Sequence, residues 1–269
     1  MKTSTLFKLM LTVIIAGATI FNAQAQRVVI NDANNTALTV VSQDVRHLEM
    51  RNTISEFDYK TINTEEGLFT SFYTHVNSFA GKVGEPRIPV IRKLIEVPLG
   101  AELKISDISY SEEILNLGEM GVVYPAFPVQ LPVAKGSEAP PPFQYNEEAY
   151  SQDRFFGEKL VSVEDKGILR GQRLALVTIA PYAYNPATNT MKVFSNVQFT
   201  VSFENADMAA TMELKEKTWS PYFQSDYSQA VNSEAFAFSK DPLSTYPITY
   251  VIISDRMFED QMQEFIAWK

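Results

Sequence analysis

Residues Gly171 to Phe203 read GQRLALVTIAPYAYNPATNTMKVFSNVQFTVSF, and they set the fold class. Leu174 to Ile179 is apolar except for Thr178, and the run stops at Pro181. Further on, Val197, Phe199, Val201 and Phe203 alternate with Asn196, Gln198, Thr200 and Ser202. A period of two places successive side chains on opposite faces of a strand, and β-branched and aromatic residues suit such a half-buried surface. The first run therefore reads as a strand buried on both faces and the second as a strand with one wet face. Between them Asn185-Pro186 starts a turn. The two runs are expected to pair antiparallel, as a hairpin at the centre of a sheet.

Upstream, Arg27 to Ile30, Thr36 to Ser42 and Gly67 to Val76 read as short strands, and Leu160 to Val163 leads into the central pair. Pro86 and Pro89 have no amide hydrogen, so residues 84–91 are expected to enter a sheet along its edge. Leu103 and Ile105 share one parity, Ile108 and Tyr110 the other, which predicts a bulge near Asp107. Prolines at 125, 128, 132, 140, 141 and 142 favour extended, poorly paired chain, read here as a long surface excursion. Tyr145 to Phe156 follows as a polar loop with scattered aromatic residues. Helical periodicity is missing from residues 26–203, and short strands separated by Gly, Pro and Asn argue for an all-β antiparallel sandwich or barrel.

Beyond Phe203 the pattern changes. Met208 to Lys217 predicts a helix, and the polar, turn-rich stretch 224–247 reads as a linker. Ile248 to Ile253 is a concentrated β run, and Phe258 to Lys269 has apolar residues at helical spacing after an N-cap at Ser254 or Asp255. A strand feeding a capped helix is how an α/β domain opens. One such unit cannot bury both its faces, so the chain is expected to be a truncated piece of a longer protein.

The other end is a leader. Lys2 and Lys8 precede the apolar core Leu9 to Ile20, and Ala23-Gln24-Ala25 is an A-x-A cleavage site. These are the marks of a secretory signal peptide cut between Ala25 and Gln26. The apolar core is too short to cross a bilayer, which takes about 20 residues. The product is expected to be exported, to the periplasm, the cell surface or the medium. After cleavage, 21 basic residues stand against 32 acidic ones, which speaks against a nucleic-acid partner. Cysteine is absent, so no disulfide supports the fold and no thiolate is available as a nucleophile.

The chemistry is sparse. His47 and His75 are the only histidines and are far apart, so no metal or other cofactor is expected. Neither a nucleophile elbow nor a phosphate-binding glycine loop occurs. The acidic pairs Glu112-Glu113 and Glu147-Glu148 read as solvated charge. A set of catalytic residues is not expected.

An ordered series of motifs carries a resemblance. It runs Gly84-x-Pro86-x-Ile88-Pro89, Val97-Pro98-x-Gly100-Ala101, Tyr124-Pro125-x-x-Pro128, Ala149-Tyr150, Arg170-Gly171-x-Arg173 and Ile179-x-Pro181-x-x-Tyr184-Asn185-Pro186. This series resembles the N-terminal pro-domain of gingipain-type cysteine peptidases, exported by Bacteroidetes. Tyr250 to Lys269 resembles the first strand and helix of their catalytic domain.

The resemblance implies a two-sheet antiparallel β-sandwich followed by the truncated start of an α/β caspase-like domain. It divides the chain into a signal peptide (1–25), a pro-domain (26–223), a linker (224–247) and the start of the peptidase (248–269). The implied function is to keep the zymogen latent, to assist its folding and to be removed by proteolysis, with the protein's own catalytic domain as intramolecular partner. The catalytic His and Cys of that family have no counterpart here, so the fragment itself is expected to be inactive. Latency in such zymogens uses a basic side chain set into the specificity pocket like a substrate; the expected residue is Arg154, in the Tyr145–Phe156 loop. Activation cleavage is expected in the linker, with Lys240-Asp241 the leading bond. The competing reading is an exported β-sandwich adhesin or glycan-binding module, with Phe143, Tyr145, Tyr150, Phe155 and Phe156 as an aromatic platform.

Overall fold

The computed structural model describes residues 25–30, 37–74, 78–137, 139–238 and 251–268. The expected leader core, His75 and the bond Lys240-Asp241 lie outside the described residues. So do Ile248 to Tyr250, at the start of the expected second strand run.

The described strands form three antiparallel sheets. A three-stranded sheet has the order β1 (Gln26–Val29), β4 (Glu56–Thr64), β5 (Gly67–Tyr73). A four-stranded sheet runs β6 (Ser78–Ala80), β7 (Ile88–Glu96), β10 (Gln172–Ile179), β9 (Val161–Leu169). The third sheet contains β11 (Tyr182–Asn185), β12 (Thr190–Glu204), β3 (His47–Thr53) and β2 (Ala37–Gln43), with β8 (Glu102–Asn116) on the other edge of β12.

The main core lies between the four- and five-stranded sheets. Ile91 and Ile95 of β7 with Ala175, Val177 and Ile179 of β10 meet Leu48 and Met50 of β3 and Val197, Phe199, Val201 and Phe203 of β12. A second core joins Phe57, Tyr59 and Phe72 of the three-stranded sheet to Tyr182, Tyr184, Met191 and Val193. Strand β12 thus serves both cores. At the join, Asn196 adopts φ 53° and the pairing with β8 slips. The expected bulge on the partner strand is there too: Asp107 has φ 54°, and Ser106 pairs with Thr200 while Ser109 pairs with Gln198.

The expected hairpin is corrected. Strand β10 pairs with β7 and β9, and β12 pairs with β11, β3 and β8, so the two decisive runs face each other across the core. The chain changes sheets at Ala180-Pro181, where the Ala180 N–H is taken by Leu160 O and Pro181 offers no donor to extend the ladder. The Asn185-Pro186 turn closes the shorter hairpin β11–β12 instead. Nor is β10 buried on both faces: Ala175, Val177 and Ile179 are inaccessible, while Leu176 and Thr178 are half-buried.

Pro89 enters β7 opposite Phe79 of β6, in the part of the strand that β10 does not reach, since pairing with β10 begins at Ile91. That is the edge position a missing donor requires. The proline-rich segment departs from the expectation. Its first part is not an excursion: residues 125–129 lie along β5 and the 84–87 segment, with Thr70 N–H to Pro125 O, Phe127 N–H to Thr70 O and Val129 N–H to Glu85 O at 2.7, 2.7 and 2.9 Å.

At the C-terminal side, the expected helix forms over Met208–Thr218, capped by Asp207, whose side chain accepts from Ala210 N–H. The stretch read as a linker is packed over its described part. Tyr227, Ala230, Asn232 and Phe236 are buried, and Phe236 joins the main core. A helix covers Glu259–Trp268, with Asp255 capping the turn before it. Val251 to Ile253, expected as a strand, is exposed and unpaired, because no second strand stands beside it among the described residues.

Candidate functional site

One surface loop, between Gln130 and Gln144, is fastened at its base. Both its arms are fastened at one residue. Gly84 donates its N–H to Val129 O at 2.8 Å and accepts from Asn146 N–H at 3.1 Å. Gly84 sits at φ 84°, and a Cβ there would stand 3.3 Å from Asn146, so a side chain is disfavoured on both counts. One residue further out the neck is closed again. The Gln130 amide donates to Gln144 O at 2.8 Å and accepts from Gln144 N–H at 2.9 Å.

An aromatic cluster supports the neck. Phe69 lies 6.1 Å from Phe127, 5.5 Å from Phe143 and 5.6 Å from Tyr145, and Tyr145 stacks on Tyr150 at 4.6 Å between ring centres. The Tyr150 hydroxyl donates to Ala126 O at 2.6 Å, and burial pushes its pKa far up, so the phenol stays protonated. A short helix, Glu147–Ser151, carries Tyr150 inward, with Asn146 as its cap. The Arg87 guanidinium lies over the rings of Phe79 and Phe127 at 4.3 and 4.9 Å, and burial lowers its pKa.

These contacts decide the fate of the expected aromatic platform. Tyr150 and Phe156 are buried, and Phe143 and Tyr145 stack within the cluster. Phe155 is half-buried and lies under Lys192 at 4.9 Å.

Beyond the neck the loop is exposed. Leu131 and Val133 are 42% and 61% exposed, and the chain turns at Lys135-Gly136, where Ser137 N–H reaches Ala134 O at 3.1 Å. Lys135 forms no hydrogen bond or ion pair among the described residues. Leu131, Val133 and Lys135 share one parity of the extended arm before the turn.

Arg154 is also exposed, but its head is engaged. Its Nε donates to Gln152 Oε1 at 2.5 Å and its guanidinium lies 3.9 Å over the Phe156 ring. It borders a cleft of about 210 Å³ with Lys82, Glu85, Phe156 and Glu158. Ala25 is exposed, and Gln26 opens β1 opposite Tyr59. No group of three or more His, Cys, Asp or Glu side chains is placed to hold a metal among the described residues.

Lys135 and Gln130 are absent from the sequence-based expectations, and Gly84 enters there only as the first residue of a motif. The signal for Lys135 was present: a lone basic residue between prolines, in chain too proline-rich to pair. Gln130 gave no signal, because its partner lies 14 positions away, and the motif at Gly84 does not disclose its contact with Asn146, 62 positions on.

Comparison with known proteins agrees with this architecture. Residues 25–225 match the family Propeptide_C25. Lys-gingipain HG66 of Porphyromonas gingivalis is 31% identical over 239 residues, covering 88% of this chain and 14% of that protein. Gingipain R2 of Porphyromonas gingivalis strain W83 is 25% identical over 194 residues, 69% of this chain and 24% of the relative. This chain therefore spans only a small part of the curated relatives it matches. A solved structure described as giving insight into the zymogenic latency of gingipain K from Porphyromonas gingivalis superposes with TM-score 0.64 at 31% identity, covering 68% of this chain and all of that one. A second, from a complex of Porphyromonas gingivalis RgpB pro- and mature domains, shares the fold with TM-score 0.57 at 20% identity, covering 75% of this chain and all of that one. The chain belongs to the C25 propeptide family, the pro-domains of gingipain-type cysteine peptidases.

Proposed function

We propose that this pro-domain holds the peptidase encoded after it in a latent state, assists its folding and is released by proteolysis after export. The observation that carries the reading is the match, over 68% of this chain, to the gingipain K structure concerned with zymogenic latency. The complex of RgpB pro- and mature domains supports a partner of the same kind, the protein's own catalytic domain.

The resemblance to gingipain zymogens implies latency through a basic side chain set into the specificity pocket like a substrate. Arg154 is the residue expected from sequence. A specific observation favours a second, Lys135. Its ammonium is unengaged among the described residues, it stands at the end of an extended arm, and small residues, Ala134 and Gly136, flank it. Arg154 must first leave Gln152 and the Phe156 ring. Lys135 would present a compact ammonium, Arg154 a planar fork, so the two imply different pockets.

The test is inhibition of a mature gingipain by the chain from Gln26 onward. Mature Lys-gingipain, assayed on a lysyl peptide, is expected to be inhibited. Loss of inhibition in Lys135→Ala with Arg154→Ala unaffected assigns the role to Lys135, and the reverse assigns it to Arg154. An absence of inhibition by the unsubstituted chain, against both Lys- and Arg-specific gingipains, would remove the latency reading.

A further inference from the structure

We propose that Gln130 is a positioning residue for latency: its side-chain amide closes the neck of the Lys135 loop, so that the loop meets the peptidase already in its bound shape and is cut slowly there. This rests on the reading above, that the loop occupies the peptidase cleft.

Three observations carry it. First, the Gln130 amide makes a reciprocal pair of bonds with the main chain of Gln144, donating at 2.8 Å and accepting at 2.9 Å. A primary amide facing a peptide group imitates one rung of an antiparallel ladder, and here it spans 14 positions of chain. Second, the next fastening inward, at Gly84, takes both arms of the same loop through one residue's N–H and C=O. Third, the chain beyond the neck is stiffened by Pro132 and by Pro140-Pro141-Pro142, each with a fixed φ.

A loop held at its base loses less conformational freedom when it enters a cleft, and that saving appears as affinity. The same clamp opposes turnover. Hydrolysis of the Lys135–Gly136 bond consumes one water and leaves a carboxylate and an ammonium group. With the neck closed, both new ends remain tied to the sheet and do not diffuse from the cleft. Without it the loop becomes an ordinary flexible substrate.

Gln144 supplies an internal control. It meets Gln130 only through its main chain, while its own side chain turns back to Pro142 O at 2.9 Å. Gln144→Ala therefore keeps the clamp, whereas Gln130→Ala removes it and Gln130→Glu removes its donor while keeping an acceptor.

The experiment adds each variant of the chain to mature Lys-gingipain. It measures the inhibition constant, the rate of cleavage after Lys135 by mass spectrometry, and the melting temperature of each chain alone. The expected result is inhibition weakened roughly tenfold in Gln130→Ala, less in Gln130→Glu and not at all in Gln144→Ala. Cleavage after Lys135 should accelerate in the same order, with melting temperatures within a few degrees of the unsubstituted chain. A purely structural role would lower the melting temperature without changing the fate of the loop.

Inhibition and loop cleavage unchanged in Gln130→Ala would overturn the proposal. So would an equal loss in Gln144→Ala. If instead the unsubstituted chain fails to inhibit, or Lys135→Ala inhibits as well as it does, the reading of this loop as the latency element fails first and the role of Gln130 falls with it.

Discussion

The ammonium of Lys215 lies 2.5 Å from the carboxylate of Glu96, and both side chains are buried. Around this pair four parts of the chain meet. Gln172 of β10 donates to Glu96 Oε2 at 2.8 Å and to Tyr227 O at 3.1 Å. Lys215 also donates to Phe236 O, and Asn232 bonds both the N–H and the C=O of Glu96, at 2.7 and 2.9 Å. The pair ties the Met208–Thr218 helix and the 227–236 segment to the end of β7. Polar sequence that reads as linker is held on the sandwich by buried charge.

Breaking the pair on one side should be costly and breaking it on both sides should not. Lys215→Met or Glu96→Gln leaves one buried charge without its partner, a loss of about 3–5 kcal/mol. The double variant should recover most of that. Urea denaturation of the four proteins measures the cycle; additive losses would mean that the two groups do not act as a pair.

The pH dependence has a definite sign. Burial raises the Glu96 carboxyl above its ordinary value, with Lys215 and Gln172 pulling it part of the way back. A carboxyl whose folded pKa is raised favours the fold most when protonated, and that contribution is lost as pH rises through the folded value. Removing Lys215 raises it further. The deficit of Lys215→Met should therefore shrink on acidification from pH 8 to pH 5, as followed by thermal melts. A deficit that grows on acidification would contradict the assignment.

The turn before β10 gives a steric prediction. Arg170 and Gly171 both have positive φ, 51° and 80°, and join Leu169 to Gln172 in a two-residue hairpin. A Cβ on Gly171 would stand 1.9 Å from Thr218 Oγ1. Gly171→Ala should destabilise by more than the about 1–2 kcal/mol of a left-handed alanine alone. Adding Thr218→Ala should remove most of the excess, leaving that backbone cost and the tight 3.1 Å approach to the Thr218 Cβ position. Calorimetry of the single and double variants checks both statements.

Activation is expected to leave the 227–236 segment with the pro-domain, since its buried contacts run to the sandwich. Cleavage is proposed between Phe238 and Ile248, with Lys240-Asp241 the leading bond. N-terminal sequencing of the released peptidase should find Asp241. A first residue upstream of Tyr227 would show that the packed segment is not part of the pro-domain.

How much of this was legible in sequence follows from the range of each interaction. The alternation of Val197 to Phe203, the parity change at Asp107 and the helix from Met208 are local, and each is found where the residues put it. Strands β3 and β4 were not read, because His47 to Thr64 mixes charged residues among its buried Leu48, Met50, Phe57 and Tyr59. Arg154 was named for its residue type and loop; its stack on Phe156 is a short-range contact that depends on how the chain bends after Gln152.

By itself, then, the sequence determined the class of the protein: the β period, the turn residues, the proline positions and the ordered motif series are properties of neighbours along the chain. The tertiary structure decided which strands pair. A period of two fixes the face a side chain takes but not the partner strand, so Leu174–Ile179 and Val197–Phe203 fit a hairpin and opposed sheets equally well until Pro181 is seen to carry the chain across. It also decided where the chemistry stands. Lys135 at a pinned tip, Gln130 at its neck and Glu96 beside Lys215 are set by contacts between residues distant in sequence, and hydrogen bonds and charge pairs at that range leave no trace in local pattern.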